Sequence, residues 1–248
     1  MVDLHDKVVI VTGASSGIGA ALAKTFSRHG SMVMLVARRL DRLKEVASAC
    51  PGDTLTLSAD LVKDNDRKAV VKTAVDHWGK IDVLVNNAGI GIYGDFMSTT
   101  EAEWRKIFEI NLLSAVFLTQ TVLPVMMSRG KGLIINIASI GALIAHSDKV
   151  TPYVASKHAI LGFSRGLEKD LAETDIRVIA VCPHLTATEF FGASPGAEEM
   201  APVIKKYRDF MDTPETVAQG ILEHLDSDRL VVFPTSKPAR AYEKQRDI

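Results

Sequence analysis

The sequence predicts an α/β fold, a doubly wound sheet of about seven mostly parallel strands with helices on both faces. Three observations predict it. Short, β-branched apolar runs recur along the 248 residues. Several lack polar alternation, as strands covered on both faces do. Helix-period stretches separate them, and that alternation with right-handed crossovers gives a parallel sheet.

The first run is Val8, Val9, Ile10 and Val11, and it passes directly into Thr12-Gly13-Ala14-Ser15-Ser16-Gly17-Ile18-Gly19 and a helical stretch over 20–29. Glycines there permit a sharp turn, a close approach of pyrophosphate to backbone, and tight packing of helix on strand. The helix N-terminus offers free N–H groups to phosphate oxygens. Gly13, Ser15, Ser16, Gly17, Ile18 and Gly19 are therefore candidate dinucleotide contacts, in the spacing G-x-x-x-G-x-G.

The second run, 32–36, leads into Ala37-Arg38-Arg39, without an acid. An acid there would hold the adenosine ribose hydroxyls and repel a 2′-phosphate. Arg38, with Arg39 and the Ser15 hydroxyl, is placed to neutralise that phosphate, which selects NADP(H). The plain alternative is a pair of solvated helix-start charges. A helical stretch over 41–49 and a strand at 55–57 follow, then Asp60-Leu61 and a helix over 64–78. The strand at 81–85 runs into Asn86-Asn87-Ala88-Gly89.

The helix Glu101–Ser128 has Ser98, Thr99 and Thr100 as candidate N-caps and Glu103 at capping-box spacing. Pro124 is expected to kink or end it. The strand at 133–137 leads to Ser139, and Tyr153 and Lys157 stand four apart on the next helix, over 153–172. Residues i and i+4 share a helix face. A lysine ammonium beside a phenol lowers its pKa from the ordinary value of ~10. Such a tyrosine, next to a hydroxyl that fixes a substrate oxygen, is an acid/base for a carbonyl/alcohol pair. A lone pair of this kind is more often a solvated helix face.

A strand at 176–181 is followed by Cys182, Pro183 and His184. The connection over 186–213 holds Gly192, Pro195, Gly196 and Pro202 around an amphipathic piece at 197–211. A connection this long is expected to be a lid, over about 189–211. The last strand is at 230–233, and 1–248 reads as one domain.

Composition narrows the function. Net charge is −1 with acids and bases interspersed, so neither nucleic acid nor a membrane surface is an expected partner. The apolar runs are short, so no membrane span is expected, and the N-terminus lacks an apolar segment of secretory type. Two cysteines, Cys50 and Cys182, suit a reduced cytoplasmic chain. No cluster has metal-ligand spacing, so no metal is expected.

With these pieces placed, the chain resembles the short-chain dehydrogenase/reductase family over nearly its whole length. The resemblance rests on Thr12–Gly19, Asp60-Leu61, Asn86-Asn87-Ala88-Gly89, Ser139 and the Tyr153-x-x-x-Lys157 spacing, in that order, with Asn111 in place as well. It implies a Rossmann-type fold and NADP(H)-dependent interconversion of a carbonyl and a secondary alcohol. It implies that Asp60 and Leu61 hold the adenine, and that Asn87, Ala88 and Gly89 line the adenosine ribose. It also implies that Asn111 holds a water in a proton path, that Ser139 binds the substrate oxygen, that Tyr153 is the acid/base and that Lys157 anchors the ribose. Thr186 and Thr188 are implied partners of the nicotinamide amide, next to Pro183. The substrate pocket implied by analogy includes Ile90, Tyr93, Ile140 and His146, which suggests a mostly apolar substrate. Helices 101–128 and 153–172 imply a homodimer or homotetramer.

One position departs from the family: His184 replaces the usual glycine near the nicotinamide, either narrowing the substrate pocket or facing solvent. Lys205, Lys206 and Arg208 read as a solvated face. Two other functions are weighed. A catalytically silent nicotinamide-nucleotide sensor has no need of the Asn111–Ser139–Tyr153–Lys157 set. A nucleotide-sugar epimerase or dehydratase usually carries a longer C-terminal domain.

Overall fold

The computed structural model describes residues 3–145 and 147–246. Among them, seven parallel strands form one sheet: β1 (Val8–Thr12), β2 (Met32–Ala37), β3 (Thr54–Ser58), β4 (Val83–Asn86), β5 (Gly132–Ile137), β6 (Ile176–Val181) and β7 (Val231–Val232). Their spatial order is β3-β2-β1-β4-β5-β6-β7. The chain therefore winds outward in both directions from the β1–β4 pair, where Val9 lies beside Val83 and Val11 beside Val85. Such a reversal opens a crevice at the carboxyl ends of the two strands.

The helices are α1 (Gly17–Arg28), α2 (Leu40–Ser48), α3 (Asp64–Trp78), α4 (Glu101–Phe108), α5 (Ser114–Ser128), α6 (Thr151–Asp170), α7 (Ala197–Tyr207), α8 (Pro214–Glu223) and α9 (Ser236–Arg246). Alternate strand residues feed two cores. Val9, Val11, Leu35, Val85 and Ile135 pack against Leu22 and Phe26 of α1 and Ile221 of α8. Ile10, Met34, Leu84 and Ile134 pack against Val70 of α3, Leu118 and Val122 of α5 and Leu167 of α6. Both strand faces are buried, which is why the runs read as continuously apolar.

Thr100 caps α4 with the expected capping box: its hydroxyl accepts from Glu103 N while Glu103 receives the Thr100 N–H. Pro124 does not end α5, which continues to Ser128. Val122 and Met126 are fully buried on either side of it, and that packing outweighs the lost backbone bond. Between α4 and α5 a π turn, Glu109–Leu113, keeps the helix continuous. The joined helix Glu101–Ser128 is thereby long and apolar enough, by length and composition, to cross a membrane, contrary to the expectation from its separate runs. One such helix is weak evidence for a span. Its Leu118, Val122 and Met126 lie in the sheet-packed core, as in a core helix.

The 230–233 strand shortens to two residues. Helices α8 and α9 were not anticipated. Thr213 caps α8 by accepting from Thr216 N at 3.1 Å.

Candidate active site

A cleft of about 450 Å³ lies across the carboxyl ends of the central strands. Arg38, Arg39, Asp60 and Leu61 line it, as do Ser139, Tyr153, Lys157 and Pro183. Each βα turn contributes because the parallel strands all end on this side.

The turn after β1 forms the middle of the floor. Gly17 has φ +55, a left-handed conformation that favours glycine. A Cβ on Gly19 would collide with the Gly13 carbonyl and the Asn87 side-chain amide. Ser16, the N-cap of α1, makes no side-chain capping bond, and the first turn carries no acid. The N–H groups of that turn therefore suit an anion, and Ser15, Ser16, Gly17 and Ile18 line the cleft around them. These residues fit the pyrophosphate of a dinucleotide.

Thr12 ties this turn to β4. Its hydroxyl donates to Val85 O at 3.0 Å and accepts from Asn87 N at 2.9 Å and Ala88 N at 3.0 Å. Asn87 Nδ2 donates back to Thr12 O at 2.8 Å. Behind them runs a buried polar chain that sequence reasoning missed. Asn86 Nδ2 donates to Thr119 Oγ1 at 3.0 Å and to Asn136 Oδ1 at 2.9 Å, and Asn136 Nδ2 donates to Ser164 Oγ at 2.9 Å. It joins α5, β4, β5 and α6. The only signal for it was a polar residue inside each apolar strand.

At the adenosine end both arginines line the cleft. Arg39, rather than Arg38, touches the glycine turn: Nη2 donates to Ser15 Oγ at 3.1 Å and Ser16 Oγ at 2.9 Å. Its Nη1 pairs with Glu189 at 3.2 Å. Arg38 is an exposed residue of the cleft wall. Asp60 Oδ1 accepts from Val62 N at 3.3 Å, the local bond of a turn acid, while Asp60 and Leu61 also line the cleft.

At the other end, α6 aims Tyr153 and Lys157 from one face towards β5. Lys157 is buried, and its Nζ donates to Ile137 O at 2.9 Å. It lies 5.8 Å from the Tyr153 ring centroid. Ser139 caps the 3₁₀ turn Ile140–Ala142, its Oγ accepting from Gly141 N at 3.0 Å. The nearby Ser139 hydroxyl favours the Tyr153 phenolate.

The expected tuning of the phenol by lysine is not found in the chain alone. Burial pushes Tyr153 up to about 12, against a smaller downward pull from Ser139. Burial also pulls Lys157 down to about 8, which weakens the ammonium that was to favour phenolate. Cys182, a buried neighbour of this group, is pushed up to about 12 by burial and stays a thiol.

Asn111 sits buried in the π turn, a local widening often found at functional sites. Its Oδ1 accepts from Ile90 N at 2.8 Å, and its Nδ2 donates to Ile90 O at 2.9 Å and Ser156 Oγ at 3.0 Å. Asn111 thus fastens the chain after β4 to α6, close to Lys157.

Thr186, Thr188 and His184 line the cleft beyond β6, as does Ile90. A Cβ on Gly17 would lie 3.0 Å from the Thr188 methyl, so the start of the 189–211 segment rests on the glycine turn. Ile140 is buried, and its N–H donates to Pro183 O at 2.8 Å. Tyr93 is buried against Tyr153, at 6.1 Å, and Phe191, at 6.4 Å. His146 lies outside the described residues. Sequence reasoning missed Phe190 and Ser194, which line the cleft from the 189–211 segment. Phe190 stacks edge-on to Tyr153 at 5.8 Å. Lys205, Lys206 and Arg208 are exposed.

A family model described as short chain dehydrogenase matches residues 7–198. An uncharacterized oxidoreductase of Staphylococcus saprophyticus is 36% identical over 196 residues, covering 77% of this chain and 83% of that protein. Among solved structures, a short chain dehydrogenase/reductase from Burkholderia phymatum in complex with NAD has a TM-score of 0.88 at 21% identity, covering 100% of this chain and 95% of the other. A 3-ketoacyl-(acyl-carrier-protein) reductase from Brucella melitensis complexed with NADH has a TM-score of 0.82 at 27% identity, covering 93% and 97%.

Proposed function

We propose a specific chemistry for this chain, which belongs to the short-chain dehydrogenase family of oxidoreductases: NADP(H)-dependent interconversion of an apolar carbonyl compound and its secondary alcohol. The observation that carries it is the convergence of the Ser139 hydroxyl, the Tyr153 phenol and the Lys157 ammonium at one end of a cleft lined by Arg38 and Arg39 at the other. A bound nicotinamide dinucleotide supplies the hydride to the carbonyl carbon, or accepts it from the alcohol.

The chain's own residues do the rest. Ser139 and Tyr153 donate hydrogen bonds to the substrate oxygen, where negative charge develops during reduction. Tyr153 passes its proton to that oxygen and, in the reverse direction, takes it back. A phenol near 12 is a proton donor at neutral pH. Lys157 sits where it can bond a ribose hydroxyl and favour the phenolate once Tyr153 has given up its proton. Asn111 holds the backbone at Ile90 and, through Ser156, the start of α6, which fixes Tyr153 relative to the cleft.

NADP(H) is favoured over NAD(H) by the two arginines after β2 and by the lack of an acid there. The NAD and NADH of the two structural neighbours belong to those proteins. Phe190, Ile90 and the nearby Tyr93 favour an apolar substrate, with the 189–211 segment as its lid. Self-association through the α4–α5 helix is supported by Phe117 and Met127, which are 38% and 51% exposed. The intact acid/base set argues against a silent sensor.

The test is a panel of apolar ketones, aldehydes and alcohols assayed with each cofactor. Turnover with NADPH at a KM well below that for NADH is expected. Arg39→Ala is expected to raise the NADPH KM about 10–150-fold and leave the NADH KM unchanged, since a charge-assisted contact contributes ~1.5–3 kcal/mol. Equal effects on both cofactors would contradict the NADP(H) assignment.

A further inference from the structure

We propose that Glu189 couples recognition of the cofactor's 2′-phosphate to the position of the substrate lid. The inference rests on the NADP(H) reading above. Arg39 is the junction. One edge of its guanidinium is bound to Ser15 and Ser16, and its Nη1 is bound to Glu189 Oε2 at 3.2 Å. Arg42 Nη2 stands 3.8 Å from Glu189 Oε1. A 2′-phosphate recognised here needs the same arginine and the same serines. Carboxylate and phosphate both match the guanidinium fork, and as like charges they exclude each other from it.

The phosphate wins this competition. The Arg39–Glu189 pair is half exposed on both sides, 48% and 52%, and such pairs are weak. Arg42 has Glu45 as a further partner at 3.1 Å. A phosphate brings a larger charge and three acceptor oxygens.

Displacement of Glu189 acts directly on the active end. Phe190 follows in the chain, and its ring covers Tyr153. The segment is one tight turn: Ala193 N donates to Glu189 O at 2.9 Å, and Ser194 Oγ donates to Phe190 O at 2.6 Å. Glu189 and Phe190 therefore move together. The far side of the turn is anchored, since Gly91 N donates to Ser194 Oγ at 3.0 Å and Tyr93 N to Pro195 O at 3.0 Å. The neck of the lid is pinned by the bridge between Thr186 and Asp212. Loss of the Glu189 contact thus leaves the 189–190 end held only by its bonds to Ala193 and Ser194, loosens it against the anchored side, and lets the Phe190 ring uncover the phenol for substrate. A ribose with a free 2′-hydroxyl brings no anion to Arg39 and leaves the latch in place.

The experiment measures affinity for NADPH and NADH, and amide hydrogen exchange over 189–194, in the wild type and Glu189→Gln. The probes for exchange are adenosine 2′,5′-bisphosphate and 5′-AMP, neither of which carries a nicotinamide. Glu189→Gln is expected to bind NADPH about 2–5-fold tighter, the range set by a weak exposed pair, with NADH unchanged. Exchange over 189–194 is expected to rise in the wild type with the bisphosphate and not with 5′-AMP, and to be high in the variant without ligand. If the wild type prefers NADPH while the variant changes neither affinity nor exchange, the coupling is wrong and the cofactor reading stands. If the variant instead loses affinity for NADH, Glu189 serves a ribose hydroxyl and the proposal falls. A wild type without cofactor preference overturns the NADP(H) reading itself.

Discussion

At the floor of the cleft, Asn136 is fully buried and bonded on both sides, to Asn86 and to Ser164. At its roof, Glu189 is half exposed and held to Arg39 by an ion pair, while Phe190 keeps one edge-on contact with Tyr153. The floor places Ser139, Tyr153 and Lys157 through buried polar bonds whose loss leaves unpaired groups. The 189–190 edge of the roof is tied to Arg39 by a contact that water and other ions can replace. A site of this kind has a preorganised chemical end and an adjustable cover, and the two should respond differently to mutation.

The largest expected effect lies in the floor's chemistry. Ser139→Ala should lower kcat about 10²–10³-fold, the usual cost of one donor to a developing oxyanion. Steady-state kinetics checks this, and a change confined to KM would move Ser139 out of the chemical step. Next, Asn136→Ala should strip partners from Asn86 and Ser164. Its expected cost is about 2–3 kcal/mol, seen as a Tm lower by roughly 5–10 °C. If the melting curve does not move, the polar chain does not organise the floor.

A third test uses pH. Lys157 titrates at about 8 in the fold against an ordinary 10.5. The unfolded chain therefore binds more protons between those values, and stability rises with pH across that window. Above 9 the raised Cys182 thiol, and above 10 the raised Tyr153 phenol, oppose this, because the folded chain then holds the extra proton. Lys157→Met should remove the rise between pH 8 and 9 in chemical denaturation, and a parallel slope in the variant would refute a depressed lysine. The smallest effect is expected at the roof. Phe190→Ala should cost under about 1 kcal/mol of stability, since the ring is only partly covered, while the KM for apolar substrates shifts. A loss as large as that of Asn136→Ala would erase the distinction between floor and roof.

Most of the sheet was readable because strands covered on both faces write themselves as apolar runs such as Val8–Thr12. The glycine turn and the Tyr153–Lys157 pair were readable because each is local in sequence. Three things were not. The contacts of Arg39 with Ser15 and Ser16 join two βα corners, and spacing along the chain does not say which arginine meets the glycine turn. The pKa of Tyr153 depends on how much burial offsets the nearby lysine, a balance set by packing across β5 and α6. The roof brings Glu189 to Arg39 over a separation of 150 residues, which no local pattern encodes. Asn111 was placed only by the resemblance, because no local pattern marks the π turn that holds it.

The central claim is that Tyr153 exchanges the proton with the substrate oxygen. The direct measurement is NADPH oxidation by Tyr153→Phe with a ketone the wild type reduces, beside NADPH binding by fluorescence. Turnover should fall by about 10³-fold or more, within or beyond the usual range for a positioned acid, while NADPH binds and the protein melts as the wild type does. Turnover near the wild-type rate would contradict the account.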